Sequence, residues 1–308
     1  MAKKWTADDI PDQSGRVIVV TGGNSGLGYE TSSQLARRGA HVVLTARNPE
    51  RGAAAVARIR EDFPGADVEL RILDTADLDS VRAFAEDVNG PVHVLINNAG
   101  VMMAPHQLTK QGQELHFATN HLGHFALTGL LLLHLEAAGG ADGDARVVTV
   151  TSTLHRTGQI DLDDLAGERS YKPRVAYSQS KLANVLFALE LDRRLRRSGS
   201  KICSVLAHPG YAATNLQSAG PTGLTKGVLR ISNALMAQSA AKGALPQLYA
   251  ATSPAVQGGQ FIGPDGLGEQ RGYPKVVQPA AAAQDRDLAE QLWARSEELT
   301  GVTFAAAP

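Results

Sequence analysis

A tyrosine and a lysine one helical turn apart, Tyr177 and Lys181, are the pairing in this chain whose types and spacing best suit proton transfer. Residues four apart share a helix face, so in Tyr177-Ser178-Gln179-Ser180-Lys181 a phenol and an ammonium can converge on one site. A phenol titrates near about 10 and is a poor base at neutral pH. A neighbouring ammonium favours the ionised form and is expected to lower that value, which lets such a tyrosine give or take a proton. The same five residues also fit an ordinary amphipathic helix surface, so the pair acquires chemical meaning only from its company.

A second constellation suits phosphate. Thr21-Gly22-Gly23-Asn24-Ser25-Gly26-Leu27-Gly28 follows a β-branched run and leads into a helix-like stretch. Gly22, Gly26 and Gly28 permit a tight turn and close backbone approach, while the helix start, with Asn24, Ser25 and Leu27, offers unpaired N–H groups and a positive dipole end to a pyrophosphate. The GxxxGxG spacing departs from the common GxGxxG, and a ligand-free turn is the alternative; its place after the first strand of a βαβ unit favours a nucleotide. At the end of the second strand, Leu44-Thr45-Ala46-Arg47-Asn48 offers no acid for a ribose 2′-hydroxyl, whereas Arg47 suits a 2′-phosphate. NADP(H) is therefore the favoured cofactor, with NAD(H) open as the alternative. Asp74, after the third strand, is placed either to bond the adenine edge or to cap the helix beginning near Asp77. Asn97-Asn98-Ala99-Gly100 ends the fourth strand, where Asn98, Ala99 and Gly100 are expected to form a cofactor floor and asparagine amides to tie strand ends together.

The elements that must position these groups are legible as alternation. Short runs rich in Val, Ile and Leu, at 16–21, 41–45, 68–73, 92–96, 146–151 and 201–207, lack strict polar alternation and read as parallel strands covered on both faces. Between them, 26–38, 49–62, 78–88, 114–135 and 176–197 read as helices, with Gly39 at a helix stop. A helix at 240–251, a seventh strand at 260–263 and a terminal helix at 284–299 complete the pattern. The fold class is α/β, one doubly wound domain with a seven-stranded parallel sheet flanked by helices. No composition break divides residues 1–308, which read as an N-terminal extension (1–15), pocket loops at 153–175 and 211–225, and a C-terminal extension (264–308). Both loops follow the carboxyl ends of strands, the edge at which open α/β sheets bind ligands.

Bulk composition excludes several classes. The 30 basic and 31 acidic residues leave a formal charge of −1, so nothing calls for nucleic acid or an anionic membrane. One cysteine, Cys203, cannot form an internal disulfide, which suits a reducing compartment and a cytoplasmic location. Residues 1–13 contain no apolar run, so neither a signal peptide nor a membrane anchor is expected. The apolar tract at 122–135 falls short of the roughly 20 residues that span a bilayer and reads as a buried helix. His116, His121 and His124 lack a carboxylate or cysteine at helical spacing, so no metal is expected and packing or surface roles are assigned to them. His155 suits either a pocket wall or an exposed loop, and Met102 and Met103 either an apolar substrate or plain packing. Arg193, Arg194, Arg196 and Arg197 read as the solvated end of a helix.

Taken together, the motifs resemble those of the short-chain dehydrogenase/reductases, nearest the subgroup containing the retinol dehydrogenases. The likeness runs from Thr21-Gly22 through Asn97-Asn98-Ala99-Gly100 and Tyr177-Ser178-Gln179-Ser180-Lys181 to His208-Pro209-Gly210, and Ser180-Lys181-Leu182-Ala183-Asn184 points to the subgroup. It implies a Rossmann-type fold and an Asn120, Ser152, Tyr177 and Lys181 tetrad. Ser152 would bond the substrate oxygen, the Asn120 backbone would support a water chain to Lys181, and Lys181 would also hold the nicotinamide ribose. Pro209, Gly210 and Thr214 would contact the nicotinamide carboxamide. The implied activity is hydride transfer between NADP(H) and a small, lipophilic aldehyde or ketone and its alcohol, with reduction the expected direction. A double-bond reductase of the protochlorophyllide type and a non-catalytic NADP-binding regulator are the alternatives, and a homo-oligomer is compatible with the chain. The stretch between Ser152 and Tyr177 is longer than in many members of the family, and the resemblance makes it a pocket-shaping insertion.

Overall fold

The computed structural model describes residues 4–139, 144–211 and 238–304. Strands β1 (Val17–Val20), β2 (His41–Ala46), β3 (Val68–Ile72), β4 (Val94–Asn97), β5 (Arg146–Val150), β6 (Cys203–Ala207), β7 (Phe261–Pro264) and β8 (Pro274–Val277) form one sheet in the order β3-β2-β1-β4-β5-β6-β7-β8. The first seven run parallel, as their apolar runs predict. β8 adds an antiparallel partner to β7 from within the C-terminal extension. Its four residues begin with a proline and expose Lys275 and Val276, the pattern of an edge strand, so no buried apolar run announced it. Strand order reverses between β1 and β4, which opens a crevice at their carboxyl ends.

Helices α1 (Gly26–Arg37), α2 (Pro49–Asp62), α3 (Leu78–Glu86), α4 (Leu115–Phe117), α5 (Gly123–Leu130), α6 (Leu132–Gly139), α7 (Pro173–Ser198), α8 (Ala240–Thr252) and α9 (Arg286–Thr300) cover the sheet. Their ends follow local chemistry. Asn48 caps α2 by accepting from the Arg51 N–H at 2.8 Å, with Pro49 in the first turn. Pro173 opens α7, and Gly199, at φ 77°, closes it in the left-handed conformation that a side chain disfavours. Alternation along each strand separates the two faces. Ile18, Val20 and Ile96 pack with Leu35 of α1 and Leu248 of α8, whereas Val19, Leu95 and Val147 pack with Phe125 of α5 and Phe187 of α7. From α9, Trp293 closes the second layer, its ring 5.0 Å from Phe125 and 5.8 Å from Phe187. Arg194 lies over Trp293 and, with Arg193, pairs with buried Glu190, while Arg196 pairs with Asp192; the basic end of α7 is thus largely engaged rather than merely solvated.

The apolar stretch read as one helix over 114–135 is broken. A π turn at Ala118–Leu122 separates α4 from α5, and the axis bends by 55° between residues 115–130 and α6. No single helix among the described residues is long and apolar enough to cross a membrane. The π turn inserts a residue into the helical repeat and re-aims the side chains it carries, Asn120 among them. Gly123 ends this turn against the backbone of the β3–α3 connection, where a Cβ would be driven into the Thr75 carbonyl. Gly123→Ala is therefore expected to cost about 1–3 kcal/mol by overpacking against rigid backbone. Denaturant unfolding checks this, and an unchanged midpoint would show that the contact gives way freely.

Candidate active site

Helix α7 brings Tyr177 and Lys181 beside the carboxyl end of β5, and both are enclosed, at 7% and 4% exposure. Lys181 donates from Nζ to the Val150 carbonyl at 3.2 Å, and the Thr151 hydroxyl donates to the Lys181 carbonyl at 2.7 Å, so side chain and backbone are both pinned to the strand end. Asn184, one turn on, donates to the same Val150 carbonyl at 3.2 Å. Ser152, immediately beyond β5, accepts from the Leu154 N–H at 3.2 Å as cap of a 3₁₀ turn (Thr153–Thr157), and its side chain also hydrogen-bonds to Tyr177. Capping and proximity to the phenol, posed as alternatives by the sequence, coexist.

The electrostatics differ from expectation. Burial pushes the Tyr177 phenol up to about 12, against a downward pull from the Ser152 hydrogen bond. Lys181 does not lower it: Nζ lies over the ring, 5.8 Å from its centroid. Burial also brings the Lys181 ammonium down to about 8. The pair is thus a neutral phenol beside an amine that readily loses its proton, which suits Tyr177 to donating.

Asn120, in the π turn, is fully buried and uses both ends of its amide. Its Oδ1 accepts from the Val101 N–H at 2.8 Å, and its Nδ2 donates to the Val101 carbonyl at 3.1 Å and to Ser180 Oγ at 2.9 Å. The side chain therefore joins the strand-end segment to α7. At Gly100 an ideal Cβ would lie 3.1 Å from Asn120 Oδ1 and 3.6 Å from Lys181 Nζ, so glycine keeps the space beside the lysine clear. The Asn120 carbonyl, expected to serve a water chain, lies 3.0 Å from Nδ1 of His124, whose Nε2 lies 2.9 Å from the Thr21 hydroxyl. Burial lowers His124 to about 4, so the ring is neutral near pH 7. A carbonyl can only accept, which places the proton on Nδ1 and leaves Nε2 to accept from Thr21.

Thr21 is a hub that the motif reading passed over. Its hydroxyl accepts from the N–H groups of Asn98 and Ala99 at 2.8 and 2.9 Å, while Asn98 Nδ2 donates to the Thr21 carbonyl at 2.8 Å. The ends of β1 and β4 are thereby joined at the topological switch, as the asparagine reading anticipated. Gly22 and Gly26 adopt φ of 64° and 55°, and a Cβ on Gly28 would strike the Gly22 carbonyl, so all three must be side-chain free for this turn to form. Ser25, the N-cap of α1, makes no side-chain capping bond, which leaves first-turn N–H groups for an anion. Arg47 is exposed beyond β2, and among the described residues its guanidinium has no ion-pair or hydrogen-bond partner. These features fit a dinucleotide phosphate site. Asp74 accepts from the Ala76 N–H at 2.9 Å in the turn ahead of α3, whereas Asp77 is the helix cap.

Several histidines prove to be buried connectors. His116 accepts from the Ala104 N–H on Nε2 at 3.1 Å and faces Glu114 at 2.7 Å through Nδ1; the Tyr171 hydroxyl, from the insertion, reaches Glu114 and the Ala104 carbonyl at 3.1 and 3.0 Å. Met103, next to Ala104 in this clamp, holds φ at 56°, and the His116 ring lies 6.2 Å from that of Tyr177. His121 meets Ser296 of α9. His155 neither lines an open wall nor lies exposed: it is fully buried between Ser152 and Ala280. Pro209 and Gly210 follow β6 at the same edge as Ser152, while Thr214 lies outside the described residues.

The buried amine carries a pH signature. The folded protein sheds the Lys181 proton near pH 8, whereas an exposed lysine in the unfolded chain keeps it to about 10.5. Between these values the unfolded state binds the extra proton, so this group makes stability rise with pH. Urea unfolding at about pH 7 and pH 9.5 is expected to show a smaller alkaline gain in Lys181→Met than in wild type; equal gains would assign the effect elsewhere.

The family model described as short chain dehydrogenase matches residues 16–223. The chain is 40% identical over 298 residues to polyprenol dehydrogenase of Mus musculus, covering 95% of this chain and 86% of that protein. It is 40% identical over 297 residues to retinol dehydrogenase 13 of Homo sapiens, covering 94% and 85%. A solved structure of an uncharacterized protein from Mycobacterium paratuberculosis is 42% identical, with a TM-score of 0.82 over 98% of this chain and 100% of that one. Family match, fold and relatives agree: this chain belongs to the short-chain dehydrogenase/reductases, in the retinol dehydrogenase-like subgroup, and is an oxidoreductase acting on CH–OH groups with NAD(P).

Proposed function

We propose that the chain is an NADP(H)-dependent oxidoreductase that interconverts a lipophilic aldehyde or ketone and its alcohol, with Tyr177 as general acid/base. The observation that carries this reading is the gathering of buried Tyr177 and Lys181 with half-buried Ser152 at the carboxyl edge of β5, the same sheet edge at which the glycine turn follows β1. When bound, the nicotinamide supplies the hydride that the carbonyl carbon receives. Ser152 orients the carbonyl oxygen, and Tyr177 gives that oxygen its hydroxyl proton as charge develops there. A phenol held neutral by burial is a donor at every physiological pH. Lys181, one turn away, holds a positive charge or releases a proton near pH 8 and so stands ready to support reprotonation of Tyr177. Asn120 holds the Val101 backbone and Ser180 in register with both.

Arg47 supports NADP(H): an exposed guanidinium, without a hydrogen-bond or ion-pair partner among the described residues, stands where an NAD site would place an acid. The lipophilic class is supported by the names of the relatives, which designate polyprenol and retinol as their substrates, and by Met102 and Met103 directly after the cofactor floor. Oxidation of NADPH followed by absorbance over a panel of long-chain aldehydes, ketones, enones and retinal tests the proposal. Tyr177→Phe is expected to lower turnover by about a hundredfold or more while still binding NADPH; equal turnover would sink the acid/base assignment, and turnover of enones alone would replace the carbonyl reading. Arg47→Asp is expected to shift the preference for NADPH over NADH by about tenfold or more, from loss of a charge-assisted contact and gain of a repulsive one. An unchanged ratio would remove the basis for NADP(H).

A further inference from the structure

The C-terminal extension was left without a role by the sequence, yet its segment 265–280 is docked against the two strand ends that matter most. At the end of β6, His208 is fully buried; its Nδ1 accepts from the Gly210 N–H at 3.2 Å, so Nε2 carries the proton and donates to Glu269 at 3.0 Å. After β5, Arg156 donates to both carboxylate oxygens of Glu269 at 3.0 Å and to the Gln278 carbonyl at 3.0 Å. Its neighbour His155 accepts from the Ala280 N–H on Nε2 at 3.2 Å and therefore donates from Nδ1 to the Ser152 carbonyl at 2.6 Å. Phe261 of β7 sits between the two imidazoles, 5.4 Å from His155 and 5.2 Å from His208.

The backbone was bent to build this arrangement. Glu269 holds φ at 58°, a left-handed conformation uncommon for a side chain with a Cβ and maintained only where surroundings over-determine it. Gly210, at φ 65°, lies so close beneath the segment that a Cβ would strike the Gln270 carbonyl, and the Tyr211 N–H donates to that carbonyl at 2.8 Å. A Cβ on Gly263 would likewise strike His208 Nε2. The Glu269 carboxyl is held down to about 2, first by the His208 hydrogen bond and then, after burial's opposing push, by Arg156.

We infer that segment 265–280 is a strap belonging to the active site, in which Glu269 is a positioning residue that locks the Pro209–Gly210 turn, through His208, to the segment following Ser152, through Arg156, and thereby fixes the nicotinamide end of the cofactor relative to the substrate-orienting serine. This rests on the reading of Ser152 and Pro209–Gly210 as reaction-end residues, and it assigns Arg156, His208 and Glu269 a task in the reaction without contact with the reacting atoms. The phosphate end, built from the turn after β1 and Arg47, shares none of these bonds.

That separation supplies the test. Binding of 2′,5′-ADP, which reaches only the phosphate end, is compared with binding of NADPH and with the fluorescence of its reduced nicotinamide, which brightens when the ring is held still. In full-length Glu269→Ala, 2′,5′-ADP is expected to bind within about twofold of wild type, whereas NADPH affinity falls about fivefold or more and the nicotinamide brightening falls with it, because the hydrogen bonds from His208 and Arg156 that hold the turn in place are lost. Glu269→Gln, which still accepts from His208 Nε2, retains the greater part of both. Arg156→Ala, at a half-exposed side chain that can be removed without opening the core, gives the same pattern at smaller amplitude. Equal weakening of 2′,5′-ADP and NADPH would reduce the strap to a general stabiliser and overturn the proposal, as would nicotinamide fluorescence unchanged in Glu269→Ala. Because these are binding readouts, a wild-type protein that reduces no carbonyl would refute the proposed function while leaving the strap separately testable.

Discussion

Enclosing the ammonium of Lys181 is the constraint around which the centre is arranged. A buried cation is costly unless polar groups replace the water it loses, and here the replacement comes from the carbonyl at the tip of β5. α7 lies beside β5 to make that contact, and Asn120 holds the neighbouring backbone at Val101. The enclosure also decides the chemistry. Burial disfavours both ionised forms, so the phenol keeps its proton and the amine loses its own more easily than in water.

Buried histidines form the next layer of support. His116, His124, His155 and His208 each bridge two groups, with one nitrogen donating and the other accepting. An imidazole suits this use because its two nitrogens lie on opposite sides of a rigid ring and can satisfy unlike partners. These bridges join segments that no secondary-structure ladder connects: the end of β1 to the π turn, the insertion to the post-β4 segment, and the strap to the ends of β5 and β6. The same ring type that sequence reading weighed as a metal ligand serves as a fixed crosslink.

Rigidity of this kind is unevenly distributed around the crevice. The phosphate end is held by the β1–β4 stitch at Thr21 and Asn98, whereas the reaction end is held by longer-range contacts from the insertion and the C-terminal strap. A common scaffold can thus keep its nucleotide site constant while the walls around the substrate are rebuilt from loops, which is how one fold hosts many activities.

Much was legible in the linear chain because its causes are local. Seven parallel strands followed from β-branched runs, the end of α1 from Gly39, and the phosphate turn from glycines, the residue type that adopts positive φ most readily. The Tyr177 and Lys181 pair was visible because helical spacing converts four residues into one face. Tertiary structure alone decided the rest. The 55° bend between α5 and α6 falls within the leucine run 130–133, and the sign of the Tyr177 shift depends on enclosure. The histidine bridges and the Glu269 strap join residues separated by 103 positions between Thr21 and His124, 113 between Arg156 and Glu269, and 125 between His155 and Ala280. Periodicity carries no information across such intervals; only the folded sheet, which brings the carboxyl ends of its strands to one edge, makes those residues neighbours.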